Sequence, residues 1–210
     1  MKFTAIADIR DEIRPLVPGA PIPTVDRAIR RAAVDFCTGS TAIRETQSAL
    51  TIVKDIAAIK APTPGDTVAL EIHEAKLNGT LLDISSPKDV HFNVDVTSSN
   101  TPTHIYLQDD GDIVLSPAPA DTDPVSLIVN MSYAPTRAAT SIPTTIVDIY
   151  FEVLYQGALA FLLDMDQSAW AQLVKARNHL AMFNAGIRRA RARANHEHTP
   201  RRRTIKYGGI

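Results

Sequence analysis

His196, Glu197 and His198 stand together near the end of the chain, and with His179 they form a grouping that could be asked to hold a metal. Two histidines two positions apart, without further assured ligands, fall short of a tetrahedral site, so a solvated or interface role is the better reading. Asp109-Asp110-Gly111-Asp112 concentrates carboxylates. It lacks the calcium-loop spacing that ends in a distant glutamate, and it reads as a β-turn. Asp164 and Asp166 could share acid–base work, but they fall in a helix–helix connection with no cleft implied around them. Cys37 follows Phe36 on a predicted helix and reads as a small buried hydrophobe rather than a nucleophile. As the single cysteine, it excludes an internal disulfide and a cysteine-based zinc cage within one chain. No dinucleotide fingerprint, P-loop, HExxH or nucleophile elbow is present. The sequence therefore assigns no catalytic, cofactor or metal residues, and the chain is not read as an enzyme.

The strongest physical signal is charge. Residues 175–210 carry ten Lys and Arg against one acidic side chain, leaving 12 basic and 22 acidic residues in 1–174. The body is acidic and the end basic, which suggests that the two meet different partners. Arg188, Arg189, Arg191 and Arg193 open the basic stretch, and Arg201, Arg202, Arg203 and Lys206 close it. Three readings stand: binding of phosphate backbones, docking on an acidic protein surface, or a solvated terminus. Thr204-Ile205-Lys206-Tyr207 alternates like a short strand that could add to a partner's sheet, which favours docking.

The elements that position these residues follow from periodicity. Ile6, Ile9, Ile13 and Leu16 predict a short helix capped by Thr4, and Val25 through Phe36 a second from Thr24 to about Gly39. From Thr46 alternation takes over: Leu50 and Ile52, then Val68, Leu70 and Ile72, then Ile113 and Leu115, then Val125 to Tyr133. Asn78-Gly79 predicts a tight hairpin, and Ser86-Pro87-Lys88-Asp89 a short capped helix between strands. Helical spacing returns after Pro143, with Thr144 or Thr145 as cap, and runs to about Met165. A last helix, capped by Ser168 and carrying Trp170, Leu173, Leu180 and Phe183, fades after Ala190. No apolar run reaches the roughly 18–20 residues of a membrane span, so no membrane partner is expected. The expected fold is α+β. Residues 1–45 and 142–195 form a discontinuous four-helix bundle, 46–141 an inserted antiparallel β-sheet domain, and 196–210 an extended basic C-terminal tail.

In this order the segments resemble the head-to-tail adaptor family of tailed bacteriophages. The likeness rests on three stretches: the N-terminal helix pair ending in Ala28 to Phe36; residues 68–82 followed by 101–107 and 113–119; and the exit at Tyr133-Ala134-Pro135 leading to Tyr155-Gln156-Gly157 and Trp170 through Ile187. The resemblance implies a non-enzymatic virion protein, assembled in the host cytoplasm and placed at the neck, the head–tail junction. It implies a homo-oligomeric ring, commonly twelve copies, between the portal protein and a tail or nozzle protein, with DNA crossing its channel. It also implies portal docking through the C-terminal segment, here Arg188, Arg189, Arg191, Arg193, Arg201, Arg202, Arg203, Thr204, Ile205, Lys206 and Tyr207. A nucleic-acid-binding protein using the same basic segment is the alternative.

Overall fold

The structure, a computed structural model, describes residues 1–52, 54–85, 99–120, 126–165 and 168–197. Ile6, Ile9 and Ile13 bury one stripe of a two-turn helix, α1 (Ile6–Ile13), which passes into a 3-10 turn holding Pro15. Proline removes a donor that the next helical turn would need, which limits α1 to this length. Thr4 does not cap it. Thr4 lies in strand β1 (Phe3–Ala5), and its hydroxyl bonds to that of Thr144 at 3.0 Å. Helix α2 (Ile22–Ser40) starts with a proline in its first turn and ends on Thr41, which is left-handed at φ 48°. Gly39 is therefore inside α2. It permits close approach instead of stopping the helix, since a Cβ there would sit 2.8 Å from Ile187.

The strands follow. Strand β11 (Ser126–Pro135) is central in the main sheet and antiparallel to both β2 (Arg44–Thr51) and β4 (Thr67–Leu77). Asn78 and Gly79, at φ 49° and 84°, turn β4 into β5 (Thr80–Leu81) as the sequence predicts. A second sheet runs β3 (Ala58–Lys60), β9 (Asp112–Ser116), β8 (His104–Leu107), β6 (Asp83–Ile84). The β part is not wholly antiparallel: β6 pairs with β8, and β7 (Ser99–Asn100) with β10 (Ala118–Pro119), in parallel. Strand β1 pairs with β12 (Ser141–Pro143), which brings the start of the chain to the entry of helix α3 (Thr144–Leu163). The helix expected around residues 86–89 lies outside the described residues, as does Val125 of the expected strand.

Neither Thr144 nor Thr145 caps α3, whose N-cap is Pro143 with no side-chain cap bond. By length and composition α3 would also suit a membrane span, contrary to the sequence reading. Its buried Leu154, Ala158 and Leu162 belong instead to the helical core. Helix α4 (Leu173–Glu197) starts later than expected: Ser168 and Trp170 precede it, with Ser168 donating to the Met165 carbonyl and Trp170 to that of Leu162.

The expected four-helix bundle is not formed, although the α+β class holds. Helices α2, α3 and α4 pack on one another, while α1 is too short to span them and covers one flank of α2. Ile43, just before β2, and the strand residues Ala134 and Ile142 complete this helical core. A second core lies within the β part around Ile105, Leu115, Leu127 and Met131. Strand β11 touches both, because Tyr133 faces the β core and Ala134 the helices.

Candidate partner-binding surfaces

Along the last turns of α4, Ala190 and Ala194 are buried, so the helix stays attached to the body nearly to its end. The neighbouring Arg188, Arg189, Arg191 and Arg193 are exposed. Arg189 returns a weak bond of 3.4 Å to the Ala185 carbonyl. The small alanines let α4 lie close to the body, and the arginines around them point a basic face outward. Arg201, Arg202, Arg203, Thr204, Ile205, Lys206 and Tyr207 lie outside the described residues, and so does His198.

A second basic surface is assembled from distant parts of the sequence. Arg27, Arg30 and Arg31 on α2 and Arg137 from the turn after β11 line a trough of about 710 Å³, with Val34 and Asp35. Arg30 donates to the Ala139 carbonyl at 2.7 Å, which fixes the turn against α2. Arg31 lies 3.8 Å from Asp35, and its guanidinium carbon sits 4.0 Å from the centre of the Phe161 ring. Burial raises the Asp35 carboxyl above its ordinary value, while Arg31 and Arg137 pull it down. The trough continues between α2 and α4 over Phe161, Leu180 and Phe183, flanked by Arg177. Arg27, Arg30 and Arg31 share α2, but Arg137 and Arg177, which meet them at the trough, are far away along the chain and no local pattern joins them.

The groups considered for chemistry are scattered. His179 bonds through Nδ1 to the Gln156 side chain, which in turn donates to Glu152. Burial and Lys175 push His179 below the usual imidazole value, against Glu152. Seventeen residues of helix, roughly 25 Å, separate it from His196. Among the described residues no three His, Cys, Asp or Glu gather as metal ligands. Asp109 to Asp112 form the β8–β9 turn, in which Gln108 donates to Asp112 and Gly111 has φ 88°. Asp164 is exposed at the end of α3, and Asp166 lies outside the described residues. Cys37 is fully buried, which raises its thiol well above the ordinary value.

These surfaces are suited to holding partners by charge and shape. Comparison with curated proteins gives no match. A family model described as SU10 adaptor protein matches residues 4–204, nearly the whole chain and both of the basic surfaces. The chain thus belongs to the SU10 adaptor protein family and is a structural adaptor of bacteriophage virions that associates with other virion components.

Proposed function

We propose that copies of this chain close into a ring, commonly twelve, at the neck of the virion. The ring sits between the portal protein and a tail or nozzle protein, and the genome passes through it. Assembly takes place in the host cytoplasm before the head and tail join. The observation that carries the reading is the separation of charge. The exposed arginines of α4 lead into a basic end, while the rest of the chain is acidic. A basic arm fits an acidic portal surface, and acidic side chains facing a channel repel phosphates and let DNA slide. We take residues 1–45 with 142–195 as the unit that carries the arm, 46–141 as the β unit, and 196–210 as the arm. The two separate cores support that division.

Native mass spectrometry of the chain mixed with purified portal tests this. A layered ring is expected, and removing residues 200–210 should leave the fold intact while weakening docking. Undiminished docking of the shortened chain would remove the arm from the account. The same exposed arginines also favour a second reading, direct DNA binding. That reading requires DNA affinity that falls steeply with salt and is lost with residues 196–210 while portal docking persists.

A further inference from the structure

The basic trough and the exposed face of α1 lie on different sides of the same helix. Arg10 of α1 grips Asp26 of α2 through two bonds of 2.7 and 3.1 Å, so α1 sits on the Asp26 flank. At about 100° per residue, the α2 side chains of the trough run from Arg30, about 40° round from Asp26, to Asp35, half a turn away. The trough covers the outer face of α2 and reaches the Asp35 flank, where it continues toward α4. Away from α2, α1 exposes Asp8, Asp11 and Glu12, with Arg14 just beyond its end.

We infer that the arginine trough on the outer face of α2 receives the acidic face of α1 from a second copy of this chain. This rests on the ring reading and specifies which faces meet. Three observations carry it. First, the trough gathers Arg27, Arg30, Arg31 and Arg137 around one carboxylate, Asp35. Like charges held this close repel, and carboxylates from outside relieve that. Second, the chain supplies a complementary surface of its own in Asp8, Asp11 and Glu12. Third, a closed ring needs two different patches on different sides of each subunit, because its contacts are heterologous. The two faces of this helical layer meet that need. Leu16, 47 % exposed, adds an apolar contact beside the α1 carboxylates, and Leu180, 42 % exposed, offers one on the far side of the trough.

The test is a charge swap in the full chain, with ring assembly followed by native mass spectrometry, alone and on purified portal. Arg27→Glu with Arg31→Glu, and separately Asp11→Arg with Glu12→Arg, should each raise the concentration needed for assembly by about tenfold or more. The Asp11 and Glu12 pair should leave the melting temperature nearly unchanged, since both side chains are exposed, whereas the arginine pair gives up the Arg31 contacts to Asp35 and Phe161 and should lower it by a few degrees without unfolding the chain. Combining the two pairs should restore assembly. Unchanged assembly by either pair, or loss in both without recovery in the combination, overturns the inference. So does loss of DNA retention alone in the arginine variant, which would make the trough a phosphate site. Failure of the unaltered chain to assemble even on portal counts against the ring itself, and so is distinct from failure of this interface.

Discussion

Gly157 on α3 and Phe183 on α4 pack so closely that a Cβ on the glycine would lie 2.7 Å from the Phe183 ring, and 2.9 Å from Ala32 of α2. The three long helices therefore cross at a point where only hydrogen fits. Gly157→Val should destabilise the fold by about 1–3 kcal/mol, because the ring and Ala32 are both buried and cannot yield freely. Urea unfolding checks it, with a lower midpoint expected.

The Arg10–Asp26 pair is bidentate, and both side chains are mostly covered, at 22 % and 23 % exposure. It is the polar clasp that holds α1 to α2. A double-mutant cycle with Arg10→Ala and Asp26→Ala should give a coupling near the upper end of the surface range, about 1 kcal/mol. The coupling should shrink in high salt.

Tyr133 is buried and donates its hydroxyl to the Pro62 carbonyl at 3.1 Å. Burial pushes its phenol up to about 12. The unfolded chain, titrating near 10, loses this proton first as pH rises, so stability contributed by the neutral phenol is full below about pH 10 and declines up to 12. Tyr133→Phe should be less stable at neutral pH by about 1 kcal/mol, the lost hydrogen bond. It should also show a shallower fall in melting temperature above pH 10.

Cys37 should resist a thiol reagent in the native protein and react fully in denaturant. It has no exposed surface, and burial keeps it a thiol rather than a thiolate. Ellman's assay with and without guanidinium checks this.

The legible parts of the fold are those decided locally. The Asn78-Gly79 turn demands positive φ at both positions, and few residue pairs provide it. The alternation of Leu127, Val129, Met131 and Tyr133 marks a strand with one buried face. A four-helix bundle is the sequence's expectation because four apolar helical stripes look alike, whatever their lengths allow. The stripe of α1 ends after Ile13, and its continuation through Leu16 is a 3-10 turn with Leu16 exposed. Thr4 and Thr144 leave the helices that follow them uncapped because their hydroxyls serve each other across the chain. On the candidate surfaces, the arginines of α4 stand out as a run, whereas Arg137 meets α2 only through the turn after β11. Such a meeting is set by tertiary packing, which no local pattern encodes.

The most direct measurement is electron cryo-microscopy of intact virions carrying this protein. A closed ring of this chain is expected between portal and tail, its basic end against the portal. Virions in which the neck holds no copy of it would contradict the account.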